Sequence, residues 1–194
     1  MKIELPYFGE IELEFYENEY ADREGYEDYV HFGYSESIGY DEEYIDEPGC
    51  NFTFNGKPLD LDVNFTELSQ SNISLVTNSL NKLDEIIRKG KKYLIADFNS
   101  KGEVKNYIDE WIEYYLDEEP FKELAKRPFS KETPMELLNK LEIVRIGFYS
   151  WAESHPYVII DFAFGYDSDS GHRDNMLVIK LSKDYELMEL TTEG

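Results

Sequence analysis

Three aspartates crowd one short turn, Asp167-Ser168-Asp169-Ser170-Gly171-His172-Arg173-Asp174. Hard divalent cations bind clustered oxygen donors, so Asp167, Asp169 and Asp174 form a candidate metal site. The spacing departs from an EF-hand loop: the glycine comes one place early, and no glutamate follows at the closing position. Arg173 competes for the same carboxylates. The plainer reading is a polar hairpin loop whose aspartates bond to nearby backbone.

Other chemistry-bearing residues are sparse. His31, His155 and His172 fall in no zinc-ligand pattern, and the one cysteine, Cys50, cannot supply a thiolate cluster. Cys50 beside Gly49 reads as a small packing residue rather than a nucleophile. Ser154-His155-Pro156 invites comparison with a hydrolase triad, but no nucleophile-elbow sequence accompanies it. There is no phosphate-binding glycine loop and no dinucleotide fingerprint. Paired carboxylates could drive glycoside hydrolysis, yet 42 acidic residues make any single pair uninformative. The expectation is a protein without a cofactor and without catalysis. An enzyme with an unrecognised carboxylate site is the alternative.

The segment from Glu17 to Glu47 is the most distinctive in the chain. It interleaves tyrosines, among them Tyr26, Tyr29, Tyr40 and Tyr44, with carboxylates that include Asp28, Asp41, Glu42 and Glu43. Tyrosine offers rigid contact area with a polar tip and is favoured at protein interfaces. Carboxylates steer an encounter with a basic surface. These eight residues are the candidate partner-binding set. The competing reading is a solvated excursion whose tyrosines fold back onto the core.

Charge supports the first reading. Nineteen basic residues against 42 acidic ones leave a net charge of −23. Residues 1–50 hold sixteen acidic and two basic side chains, so that stretch is far more acidic than the rest. Such a field repels nucleic acid and anionic lipid, whose phosphates carry the same sign. It attracts basic proteins and divalent cations, and it also serves plain solubility. Lys82, Arg88, Lys89, Lys91 and Lys92 form the one basic cluster, set among Asp84 and Glu85, where internal charge balance is the simpler role.

The elements that must position these residues follow from length and periodicity. At 194 residues and 41% hydrophobic, the chain fits a single domain with its own core, carrying an acidic tyrosine-rich insertion at about 17–49. One cysteine excludes an intramolecular disulfide and fits a reducing, cytoplasmic setting. The opening residues lack a signal-peptide pattern, and no apolar run is long enough for a membrane span.

Residues 3–16 alternate, with Ile11, Leu13 and Phe15 opposed to Glu10, Glu12 and Glu14, and Pro6-Tyr7-Phe8-Gly9 supplies a turn. Tyr29 to Tyr34 is a candidate strand. Asn51–Phe54, then Asn55-Gly56, then Lys57–Phe65 reads as a hairpin, because Asn-Gly tolerates the positive φ of a tight turn. From Ile73 to Phe98 the apolar period changes to three-four, giving a helix with a break allowed at Gly90. Ser100-Lys101-Gly102-Glu103 and Thr133-Pro134-Met135-Glu136 have capping-box spacing, each opening a further helix, with a short helical piece at Phe121–Lys126 between them. Strands are expected at Ile143–Tyr149, Tyr157–Phe164, Met176–Leu181 and Tyr185–Leu190. The order is strands, helices, strands. It predicts an α+β fold: a mostly antiparallel sheet from both ends of the chain, with a central helical segment packed on one side, rather than alternating βαβ units.

Phe8-Gly9-Glu10-Ile11, Phe54-Asn55-Gly56-Lys57 leading into Leu59-Asp60-Leu61, and Asp161-Phe162 before Leu177-Val178-Ile179 resemble the bacterial domain-of-unknown-function family numbered 2004. The resemblance covers most of the chain and departs from the family pattern in the acidic insertion between Phe15 and Asn51. It offers no catalytic residues to carry over. By analogy it implies a small acidic protein of the kind that includes toxin-immunity proteins, which neutralise a toxin by binding it. The expectation is therefore a non-catalytic binding protein of immunity or inhibitor type acting on a basic protein, with a divalent-metal-responsive regulator as the other reading.

Overall fold

Alternation at the start of the chain makes two strands rather than one. β1 (Lys2–Leu5) turns through Tyr7, at φ 72°, into β2 (Gly9–Tyr16), and the two pair antiparallel with Ile3 opposite Ile11. The computed structural model describes residues 2–16, 29–33, 50–65, 69–114, 130, 132–150, 156–164 and 176–193. β3 (Tyr29–Gly33) runs antiparallel to β2. β4 (Cys50–Phe54) and β5 (Lys57–Phe65) form the expected hairpin, and Asn55 and Gly56 both take positive φ, 50° and 80°. A two-residue turn with both centres at positive φ matches the twist of the strands it joins.

The helices begin at α1 (Gln70–Asn81), where the Ser69 side chain accepts from the Asn72 N–H at 3.2 Å. α2 (Leu83–Ser100) follows after a break at Lys82. The break does not fall at Gly90. That residue lies inside α2 on its buried face, in step with Leu83, Ile86 and Leu94. A Cβ there would stand 3.3 Å from the ring of Phe162 and 3.5 Å from Ile179, so the glycine marks the closest approach of the helix to the sheet.

α3 (Glu103–Tyr114) is capped differently from the Ser100–Glu103 expectation. Ser100 closes α2, its hydroxyl donating to the Asp97 carbonyl. The side chain of Asp97 reaches across the turn and accepts from the Val104 N–H at 2.8 Å. Lys101 takes the left-handed conformation, φ 64°, and the Gly102 N–H returns to the Asp97 carbonyl at 3.1 Å. A Cβ on Gly102 would collide with the Asp97 carboxylate, so any larger residue there displaces the cap. α4 (Thr133–Lys140) also starts without the expected box. Thr133 is the first helical residue, buried, with its hydroxyl accepting from the Ser130 N–H, and Glu132 caps without a side-chain bond. The piece at 121–126 lies outside the described residues.

β6 (Glu142–Ser150), β7 (Tyr157–Ala163), β8 (Met176–Ser182) and β9 (Leu187–Glu193) complete a nine-stranded sheet in the order β1-β2-β3-β5-β6-β7-β8-β9, with β4 paired to β5 off this path. The last strand begins two residues later than expected, because Tyr185 is drawn into the preceding turn at φ 61°. The architecture is α+β with the helices packed on one side of a mostly antiparallel sheet. One pair is parallel: β5 and β6, with Leu61 opposite Ile146. A helical crossover returns the chain to the same end of the sheet, so this one join follows the βαβ logic that the strand order had excluded.

The core lies between the helices and one face of β5 to β8. Leu61, Val63, Ile146, Phe148, Val158, Ile160, Phe162, Leu177 and Ile179 meet Val76, Leu80, Leu83, Ile86, Leu94 and Ile108, all buried. Tyr107 and Trp111 of α3 enclose Phe164, with ring centroids 5.8 and 4.8 Å away. The β8–β9 turn is tied to the helices: the Ser79 and Tyr185 hydroxyls lie 3.0 Å apart, and Glu186 accepts from Lys89 at 2.7 Å and from the Tyr93 hydroxyl at 3.2 Å. At the other end, Tyr7 and Phe8 pack on Phe52, folding the first hairpin over β4.

Candidate functional site

The second face of the sheet, away from the core residues, carries a band of polar side chains across its middle strands. Alternation places it there. Leu61 and Val63 face the core, so Asp62 faces the other way; the same logic turns out Arg145 and Tyr149 of β6 and Asp161 of β7. Arg145 lies opposite Asp60 on one side and Asp161 on the other, and Asp62 lies opposite Gly147.

Gly147 gives Tyr149 its reach. A Cβ at 147 would collide with the Tyr149 ring, which lies back over the glycine. From there the Tyr149 hydroxyl donates to Asp62 Oδ2. Arg145 Nε donates to Asp161 Oδ2 at 2.5 Å, and its Nη1 stands 4.0 Å from Asp62 Oδ2. Tyr149 stacks on Tyr157 at 5.7 Å, and Lys180 Nζ sits over the Tyr157 ring at 4.2 Å. The band thus runs from β5 to β8 without a break.

Its electrostatics are set by burial. Asp161 is 0% exposed, and its Oδ1 has no hydrogen-bond partner among the described residues. Burial pushes its carboxyl up to about 6; Arg145 opposes this, while Glu193 and Asp62 add to it. Burial works hardest against the charge on Arg145, but Asp161, Tyr149 and Asp62 together offset it and hold the guanidinium above its ordinary value. Burial, then the carboxylate of Asp62, keeps the Tyr149 phenol protonated, so Tyr149 acts here as a donor. The chemistry this set supports is the holding of a proton on a buried carboxyl beside the Arg145 cation.

The residues expected from sequence lie elsewhere. Asp167, Asp169 and Asp174 fall outside the described residues, as do Tyr26, Asp28, Tyr40, Asp41, Glu42, Glu43 and Tyr44. Tyr29 enters as the first residue of β3, opposite Tyr16 in the register. Among the described residues, no group of three histidine, cysteine, aspartate or glutamate side chains is arranged to hold a metal ion. None of the described helices is long and apolar enough to cross a membrane. Sequence reasoning passed over Arg145 and Asp161 as a pair. Their signal was nonetheless present: each is a lone charge inside an apolar run, Ile143-Val144-Arg145-Ile146 and Val158-Ile159-Ile160-Asp161-Phe162. A charge in such a run needs a buried partner.

No family model, no curated protein and no solved structure matches this chain.

Proposed function

We propose that this protein is a non-catalytic binding protein of immunity or inhibitor type whose partner is a basic protein. The observation that carries this reading is an excess of acidic side chains presented outward on an ordered surface. The outer side of α3 exposes Glu103, Asp109, Glu110 and Glu113. Lys105, on the same helix, pairs with Asp109. In a chain of net charge −23, that stripe adds to the acidic insertion rather than offsetting it. Carboxylates arrayed this way raise the encounter rate with a basic surface and imitate a polyanionic substrate of a basic enzyme. The resemblance to the family numbered 2004, with its analogy to immunity proteins, leans the same way, and a cytoplasmic setting accords with it.

The experiment is a tagged pull-down from the native cell, washed at low and at high salt, with bound proteins identified by mass spectrometry. A basic protein that is retained at low salt, released at high salt and inhibited by the purified chain is the expected result. A salt-insensitive neutral or acidic partner would overturn the electrostatic reading.

A further inference from the structure

We propose that Arg145 is a proton-operated latch: its guanidinium is shared between Asp161 on β7 and Asp62 on β5, and a proton on Asp161 passes it to Asp62. This inference is independent of the partner reading.

The geometry is asymmetric in a way that favours the transfer. Arg145 bonds to one oxygen of Asp161, while the other oxygen is buried without a partner among the described residues. A carboxylate so placed lacks hydrogen bonds for half of its charge, which makes the ionised form costly. Asp62 already accepts from Tyr149 and is 19% exposed, which leaves its carboxylate room for a second donor. At 4.0 Å, Arg145 Nη1 is beyond hydrogen-bond range of Asp62 Oδ2. A shift of roughly 1 Å would close it.

The surrounding charges bias the same exchange. On this face β5 contributes Asp60 and Asp62, β6 contributes Arg145, Tyr149 and Glu142 (the last paired with Lys57), β7 contributes Tyr157, β8 contributes Lys180, and β9 contributes Glu189 and Glu193. The helices pack on the opposite face. Lys180 is engaged with the Tyr157 ring and lies opposite Glu189. Arg145 is therefore the cation that answers Asp161, and Glu193 and Asp62 both favour its protonated form. The consequence falls on the β5–β6 pair. That pair is the parallel join between strands before the helices and strands after them. With Asp161 neutral, Arg145 bonds across the join; with Asp161 ionised, it bonds within the C-terminal strands.

The test is NMR on the full chain between pH 4.5 and 8, following the Arg145 Nε–Hε signal, the Asp161 and Asp62 carboxyl carbons, and amide exchange in β5 and β6. The Arg145 signal should move with the same midpoint as the Asp161 carboxyl. Exchange at the β5–β6 amides, corrected for intrinsic rates, should slow on the acid side about tenfold more than exchange in β8–β9, the effect of one charge-assisted bond. In Asp161→Asn the Arg145 signal should stay at its acid-side position at every pH. Asp62→Asn provides a second variant: Asp161 should still titrate, while the β5–β6 amides slow on the acid side no more than those of β8–β9. An Arg145 signal that stays flat while Asp161 titrates, or an acid-side slowing of β5–β6 that still exceeds that of β8–β9 in Asp62→Asn, would overturn the latch.

Discussion

Gly90 and Phe162 are in contact across the helix–sheet interface: a methyl group at position 90 would stand 3.3 Å from two carbons of the phenyl ring. The whole of α2 settles on the sheet at this point. Alanine there gains up to about 1 kcal/mol of helix propensity and meets a ring that must yield by a few tenths of an ångström. Gly90→Ala should therefore change stability little, whereas Gly90→Leu should destabilise by roughly 1–3 kcal/mol, the usual penalty of overpacking. Urea denaturation of the two variants checks the contrast. Equal stability of Gly90→Leu and the parent would mean that α2 does not rest on Phe162.

Asp97 caps a helix that begins six residues beyond it. Asp97→Ala should cost about 1 kcal/mol, the worth of an N-cap. Gly102→Ala should cost at least as much in the parent, since its methyl group would displace the Asp97 carboxylate. In the Asp97→Ala background most of that cost should vanish, because there is no carboxylate left to displace. A double-mutant cycle measures the coupling, and strict additivity would refute the arrangement. Ser100→Ala should be nearly neutral.

Stability should rise as the pH is lowered from 7.5 toward 5. Unfolded, Asp161 titrates near 3.8, and folded it titrates near 6. Between these values the folded protein holds a proton that the unfolded chain lacks. The contribution of Asp161 is thus complete below 3.8 and is lost as the pH rises through 6. Its size is roughly 3 kcal/mol. Between pH 5 and 7.5 less than half of this is sampled, so Asp161→Asn should reduce the difference in stability between those two pH values by roughly 1 kcal/mol; denaturation of both proteins at pH 5 and 7.5 would reveal it. A parent that is less stable at pH 5 than at 7.5 by comparison with the variant would contradict the assignment.

Charge reversal separates the α3 stripe from the acidic insertion as the source of steering. With the partner in hand, Glu103→Lys, Glu110→Lys and Glu113→Lys together should slow association about tenfold or more at low salt and much less at high salt. Reversal of Asp28, Asp41 and Glu42 tests the insertion in the same assay. The set with the larger effect marks the contact face, and two null results would count against steering by either.

Local signals were legible and tertiary ones were not. The Asn55-Gly56 turn and the alternation in β5 to β8 could be read from residue order, because each depends on its own neighbours. Gly90 looked like a helix breaker because propensity knows nothing of Phe162. The actual break, at Lys82, carries no glycine or proline. Ser100 had the right spacing for a cap, yet Asp97 had the right position once the turn closed. The parallel join of β5 and β6 is invisible to periodicity, which reports a strand's faces but not its neighbour. Arg145 and Asp161 could have been found, since a charge in an apolar run asks for its partner.

The join of β5 to β6 also bears on how the chain folds. Tyr149 and Asp62, bonded across it, are 87 residues apart in sequence, whereas β1–β2, β4–β5 and β8–β9 are hairpins that close locally. Local hairpins form early at small entropic cost, while this join waits for a long loop to close. The helices shorten that loop as they form. The rate-limiting step should therefore be their docking against both halves of the sheet at once, and substitutions at Gly90 should change the folding rate more than substitutions in the Asn55-Gly56 turn.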